Sequence, residues 1–286
     1  LMAVVREDLH LTRAQIGNTI IASVAITILA RLAIGYLCDR IGPRKAYTWL
    51  LALGSIPVMG IGLARDYETF LLMRLAIGAI GASFVITQYH TSMMFAPNVV
   101  GTANATTAGW GNLGGGVTQM VMPLILAGFV SLGVSETLGW RLAMILPGAL
   151  LLVVAVAYYL LTQDTPRGNF SEVRKNGGEV GAAAGGGSFL EAARDVRVWA
   201  LFVLYAACFG VELTINNVAA LYFHDRFELS VTTAGLIASL FGLMNLFART
   251  LGGVVSDFFA GKIGLRGRVV FLGIVTLLEG IALVVF

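Results

Sequence analysis

The chain has 286 residues, of which 57% are hydrophobic and only 12% charged, with 35 glycines, two cysteines and a formal net charge of +3, and its mean hydropathy is +0.84. Soluble domains carry about 25% charged residues, so this composition excludes most soluble folds and makes lipid the main solvent of the surface. The excess glycine has no collagen period and suits close helix packing in a membrane, and the basic residues are spread over loops beside apolar segments, which argues against nucleic acid as a partner.

Residues Leu1 to Leu11 (LMAVVREDLHL) lack the positive stretch and cleavage site of a signal peptide. Eight segments long and apolar enough to cross a bilayer follow, near 16–38, 46–64, 69–95, 101–131, 140–161, 197–222, 232–257 and 268–286. The predicted fold class is all-α, a polytopic membrane helix bundle. The first segment carries Arg31 eight residues before Asp39, which at 1.5 Å per residue puts it roughly 12 Å inside the interface. An arginine at that depth costs about 2.5–3.5 kcal/mol even on a lenient insertion scale, so something anionic or watery must face it. The segment ends in Gly35-Tyr36-Leu37-Cys38-Asp39-Arg40-Ile41-Gly42-Pro43-Arg44-Lys45. A helix-end aspartate facing basic residues of a tight glycine turn predicts a latch, the alternative being charge that only sets orientation.

In the third segment Arg74 lies about six residues inside the outer end, where snorkelling or packing accounts for it. The fourth reads GTANATTAGWGNLGGGVTQMVMP from Gly101. Gly111 and Gly115 form a G-x-x-x-G pair, and with Gly109, Gly114 and Gly116 they predict close approach of a neighbouring backbone. Packing does not explain Asn104 and Asn112, whose amides need partners in lipid; Asn112 can donate either to an anion or to another helix. No strand precedes this run and no Gly-Lys-Ser/Thr follows, so it is not a phosphate loop.

The polar stretch 162–196 is rich in glycine and charge and predicts a linker with one short surface helix. Beyond it, Glu212 counts to about 22 Å from the linker end of its segment, level with neither arginine; Arg249 stands eight residues before Asp257, and Glu279 lies in the last segment. A membrane acid paired with an arginine is the structural alternative to an anion site. Cys38 and Cys208 sit in apolar segments and His10, His90 and His224 lack ligand spacing, so no metal and no cofactor are expected. No nucleophile–base constellation appears either, which argues against an enzyme.

Alternating the segments across a membrane places Arg40, Arg44, Lys45, Arg167, Arg174, Lys175, Arg194, Arg197, Lys262, Arg266 and Arg268 on the linker side, against Arg6, Arg13, Arg65, Arg141 and Arg226 opposite. That bias predicts a cytoplasmic linker. Residues 30–39 (ARLAIGYLCD) and 248–257 (ARTLGGVVSD) repeat with a shift of 218, so Arg31 and Arg249 occupy equivalent positions on the first and seventh segments. A six-helix repeat follows, and with it the expectation of a six-plus-six parent from which one helix upstream and three downstream are missing. The expected domains are 1–161 (helices two to six), the linker 162–196, and 197–286 (helices seven to nine).

Two parallel six-helix repeats joined by a cytoplasmic linker resemble the major facilitator fold, and the Gly35–Lys45 loop resembles that superfamily's G-x-x-x-D-R-x-G-R-[RK] motif, with Pro43 inserted. The run Gly109-Trp110-Gly111-Asn112-Leu113-Gly114-Gly115-Gly116 resembles the first nitrate signature of the nitrate/nitrite porter family. Gly81-Ala82-Ser83-Phe84-Val85, Met94-Phe95, VELTINN at 211–217 and YFHDRF at 222–227 are similar to the eukaryotic high-affinity nitrate transporters of that family. The resemblance implies that Arg31 and Arg249 bind nitrate, with Asn112 as a pocket amide and Phe84 as an aromatic wall. Gly35, Asp39, Arg40, Gly42, Arg44 and Asp257 would form the gating motif, and Gly109, Gly111, Gly114 and Gly115 the signature helix. It further implies import of nitrate, and of nitrite, by proton symport at the plasma membrane, with room for a single-span accessory protein. Glu212, His90 and Glu279 are the titratable groups within the spans, and Glu212 is the preferred proton carrier. An exchanger, a carrier of another small anion and a nitrate sensor are the alternatives.

Overall fold

The computed structural model describes residues 1–96, 100–180 and 193–285, without the side chains of Val100, Gly101, Leu246 and Asp257. A short helix α1 (Met2–Asp8) precedes α2 (Arg13–Ile41) and α3 (Pro43–Gly60). Helices α4 (Tyr67–Gly78) and α5 (Ser83–Met94) form one span through a 3-10 turn, followed by α6 (Val100–Ser131). Helices α7 (Glu136–Ala143) and α8 (Ile145–Leu161) make the next span, α9 (Phe170–Lys175) lies in the linker, and α10 (Val196–Phe227), α11 (Val231–Ile263) and α12 (Leu265–Val285) complete the order. Among the described residues eight helical stretches are long and apolar enough to cross a membrane, matching the eight segments read from the sequence. Large apolar side chains stand exposed on these helices, Ile28 and Leu29 each at 64% and Leu277 at 65%, which suits lipid or further membrane helices and not water. The linker helix is also where the sequence placed one, while 181–192 of that stretch lie outside the described residues.

Small residues fix the helix crossings that build the interior. Gly78 faces the backbone of Ser23, closely enough that any side chain would collide, and Thr27 donates to the Gly78 carbonyl at 2.7 Å. This draws α2 onto α4. Helix α6 meets α11 at Gly116 and Gly242, where a Cβ on Gly116 would stand 2.8 Å from the Leu243 nitrogen and the Ser239 carbonyl. Among the described residues the expected G-x-x-x-G contact is corrected: nothing lies within 4 Å of a Cβ at Gly111 or Gly114 and Gly115 only approaches the Asn216 side chain at 3.7 Å, because the face that meets α11 runs through Gly109 and Gly116.

The two membrane faces are closed differently. On the face opposite the linker, Asp8 at the end of α1 accepts from Trp140 Nε1 and Arg141 Nη2, both at 2.8 Å, while Arg141 also donates to the carbonyls of Gly62 and Ala64. Arg6, two residues earlier, pairs with Asp225 of α10 at 2.8 Å, and Arg13 stands 3.7 Å from the same oxygen. Beneath them Val4, Val5, Leu11, Phe70 and Trp140 form an apolar core against which Leu221 and Val231 pack. So α1 is anchored to the first five spans and bolted to the sixth.

On the linker face, Gly42 turns the chain with φ +87°, and a Cβ there would lie 2.5 Å from the Asp164 carboxylate. Asp164 is buried and accepts the backbone N–H of Arg44 at 2.8 Å and of Phe170 at 2.9 Å, so one carboxylate satisfies the first turns of both α3 and α9. Arg44 donates to the Tyr159 carbonyl and to Asn169 Oδ1, and Arg174 donates to the carbonyls of Asp39 and Arg40. The expected pairing of Asp39 with the turn's own basic residues is corrected here. Its carboxylate accepts from Tyr89 Oη of α5 at 2.9 Å, and Arg40 lies over the Tyr36 ring of its own helix, while the linker's Arg174 takes the backbone carbonyls of both. Removing one carboxylate that serves two backbone donors costs about 1–3 kcal/mol. Asp164→Ala is therefore expected to lower the thermal midpoint of the purified complete protein by several degrees, measured by nanoscale fluorimetry, with Asp164→Asn falling less.

Candidate functional site at the two arginines

Arg31 is one turn beyond Thr27 on α2, and Phe84 begins the helix that follows the Gly78–Ala82 crossing. The α2–α4 contact accordingly sets the Arg31 guanidinium over the Phe84 ring, 5.8 Å from its centroid, within the range of a cation–π contact. Among the described residues Arg31 has no hydrogen-bond or ion-pair partner, and its buried Nε is unsatisfied. A partly buried guanidinium with donors to spare is a receptor for an oxyanion.

Arg249 reaches the same region from α11. Gly109 of α6 passes its side chain, since a Cβ there would come within 3.7 Å of Arg249 Cβ. Unlike Arg31 it is paired: Nη2 stands 3.0 Å from Glu212 Oε2, and Asn112 Nδ2 donates to Glu212 Oε1 at 2.9 Å. Arg249 Nε remains buried and unsatisfied. Tyr205, two turns before Glu212 on α10, lies within electrostatic reach of Arg31, Arg249 and Glu212 together. Tyr205 thus stands near both arginines, with Phe84 beside Arg31 and with Glu212 and Asn112 beside Arg249. The pair is only partly buried, with 25% and 18% of the Arg249 and Glu212 side chains exposed.

The expectation that Glu212 is level with neither arginine is overturned, and the cause is helix length. The depth of Arg249 was counted from Asp257, but α11 continues six residues further, to Ile263. Arg249 is then fourteen residues from the helix end and Glu212 sixteen from the start of α10, both about 20–25 Å at 1.5 Å per residue. Asn112 was read as a donor either to an anion or to a helix; here it binds the carboxylate that itself occupies Arg249.

The other candidates lie elsewhere. Asn104 donates to Ser92 Oγ at 2.9 Å, an α5–α6 tie. His90 is bonded at both ring nitrogens, to Tyr158 Oη and to the Gln163 carbonyl, which is a structural role. Glu279 of α12 faces Cys208. Arg74 lines an apolar cavity of about 500 Å³ with Phe70, Ile77, Met122, Pro123 and Trp140; neither Arg31 nor Arg249 borders it, so the larger void and the anion-receptive groups are separate places. Gly35 has open space around it. The side chain of Asp257 lies outside the described residues. No group of histidine, cysteine and acidic residues able to hold a metal is found among the described residues. Asp164, Asp8 and Gly242 carry structural work that sequence reasoning missed, and only Asp164, just past a span and before Thr165-Pro166-Arg167-Gly168, had a local turn signal.

The whole sequence, residues 1–286, matches the profile of the Major Facilitator Superfamily. It is 41% identical over 94% of the chain to "High affinity nitrate transporter 2.5" of Arabidopsis thaliana, covering 53% of that protein. With "High-affinity nitrate transporter 2.3" of Oryza sativa subsp. japonica it shares 39% identity over 100% of the chain and 55% of the relative. With "Nitrate/nitrite transporter NrtP" of Nostoc punctiforme the identity is 28% over 90% of the chain and 64% of the relative. The chain thus spans roughly half the length of the plant relatives it matches. Eight membrane-crossing helices, an arginine from each repeat copy and a match along the entire sequence lead to one assignment: this is a multi-pass membrane protein of the major facilitator superfamily, whose members are transporters and not enzymes, and it is similar to the high-affinity nitrate transporters.

Proposed function

We propose that the complete protein imports nitrate, and nitrite with it, across the plasma membrane by proton symport and alternating access. The observation that carries this reading is Arg31, a guanidinium in the middle of a membrane helix with an aromatic ring beneath it and no hydrogen-bond partner among the described residues, while Tyr205 lies within electrostatic reach of both it and Arg249. A planar trigonal monoanion can accept forked hydrogen bonds from both, which fits nitrate and the names its relatives carry. On this reading helices α2–α8 belong to the first bundle and α10–α12 to the second, with the linker cytoplasmic. Entry of a monoanion against a negative-inside potential is uphill by about 2.3 kcal/mol per 100 mV, so accumulation requires a co-transported cation. Glu212, the acid at the anion-receptive groups, is the proton carrier this proposal assigns.

Alternating access requires that the Arg6–Asp225 bolt on the outer face open and re-form. In Asp225→Arg the like charges of Arg6 and Arg13 should hold that face apart, raising labelling of outer-half cysteine reporters and slowing uptake about tenfold or more. The swap Arg6→Asp with Asp225→Arg should recover much of the lost uptake. The assignment of nitrate itself is tested by uptake of ¹⁵N-nitrate into proteoliposomes of the complete protein under an inward proton gradient. Absence of flux with retained nitrate-dependent conformational change would favour a sensor.

A further inference from the structure

The two arginines are not equivalent. Arg31 has no anionic partner among the described residues, whereas Arg249 is already occupied by the Glu212 carboxylate, which is a planar oxyanion like the proposed substrate. Asn112 holds the second oxygen of that carboxylate, so Glu212 is positioned from two helices and is no loosely placed counterion. Resting on the nitrate reading above, we propose that Glu212 is a built-in competitor for the Arg249 half of the anion site. An anion settles first at Arg31 and Phe84, and gains Arg249 only when a proton neutralises Glu212.

The charges close on this scheme. Arg31, Arg249 and ionised Glu212 sum to +1. One monoanion and one proton together leave that sum unchanged, while the anion alone brings it to zero and the proton alone to +2. Co-binding is thus the step that leaves the electrostatics of the site undisturbed. No bond other than O–H forms: the proton adds to a Glu212 oxygen, Arg249 exchanges one oxyanion for another, and Asn112 still donates to the carbonyl oxygen of the neutral acid, which holds it aside. Asn112 is in this scheme a positioning residue. The neighbouring groups that bear on Glu212 are Arg249 of α11, Asn112 of α6, and Tyr205 of its own helix, which also senses Arg31 of α2; on the α12 side Glu279 is directed to Cys208.

The test is equilibrium binding and flux of ¹⁵N-nitrate with the purified complete protein, wild type and Glu212→Gln. In the wild type, binding should weaken as pH rises. In Glu212→Gln, which mimics the neutral acid, binding should become independent of pH and at alkaline pH exceed the wild type by about tenfold, because the competing state is gone. The variant should lose accumulation driven by a proton gradient. Should the variant not fold, the wild type alone decides: adding nitrate to weakly buffered protein at a pH where binding is already weakening should draw one proton from solution per anion bound, read with an indicator dye. Unchanged pH dependence in Glu212→Gln, or no proton uptake on nitrate addition to the wild type, overturns the proposal. Absence of nitrate binding at every pH in the wild type would instead overturn the nitrate reading on which it rests.

Discussion

Nitrate uptake by the complete protein carrying Arg31→Lys is expected to fall at least a hundredfold, to near background. Lysine keeps the charge but not the planar fork, and its ammonium is more strongly hydrated and less suited to stacking on Phe84. Loss of two charge-assisted hydrogen bonds, about 1.5–3 kcal/mol each, corresponds to a hundredfold or more. Because Arg31 has no hydrogen-bond or ion-pair partner among the described residues, the variant should reach the membrane in normal amount, so the loss reads as lost recognition. Arg249→Lys is expected to lose uptake to a similar extent by a different route. A lysine there can still neutralise Glu212 as a point charge, but the unsatisfied half of the guanidinium fork that an anion would take is gone. Tracer uptake normalised to surface protein checks both.

The second large effect belongs to the α6–α11 crossing. Gly242→Val should abolish folded protein or its transport, because a side chain there meets the backbone of Gly116, which cannot rotate away. Overpacking of ordinary cores costs about 1–3 kcal/mol, and here both colliding parts are main chain, so the cost lies at or beyond the upper end. Gly111→Ala and Gly114→Ala, with open space at their Cβ positions, should change stability by less than about 1 kcal/mol despite lying in the same glycine-rich string. Fluorescence-detected size-exclusion chromatography after graded heating separates the two classes. Equal sensitivity of all three positions would mean that the crossing is not where Gly116 and Gly242 place it.

The eight spans and the linker helix could be read from the chain because they are one-dimensional signals: hydropathy over about twenty residues and a break in composition. The pairing of Arg249 with Glu212 was out of reach for a definite reason. Depth had been counted from Asp257, a residue at the end of an apolar run, while α11 carries its backbone on to Ile263 through Lys262. Helix ends set by hydrogen bonding and caps do not coincide with hydropathy ends, and six residues are about 9 Å. Asp164 escaped notice for another reason: the turn signal beside it marks only a turn, while the donors that give it its role, Arg44 and Phe170, lie 120 and six residues away. Likewise Gly116 was noticed only as one of five neighbouring glycines, since the residue that selects it, Gly242, is remote in sequence.

The proposed anion site joins the Arg31 guanidinium over Phe84 to the Arg249–Glu212–Asn112 cluster. Its most direct test is an experimental structure of the complete protein with nitrate at acidic pH. The expected result is a planar trigonal density within hydrogen-bond reach of both guanidiniums, with Glu212 withdrawn from Arg249 and still bonded to Asn112. Nitrate bound elsewhere, such as in the apolar cavity beside Arg74, with the Arg249–Glu212 pair intact, would contradict it.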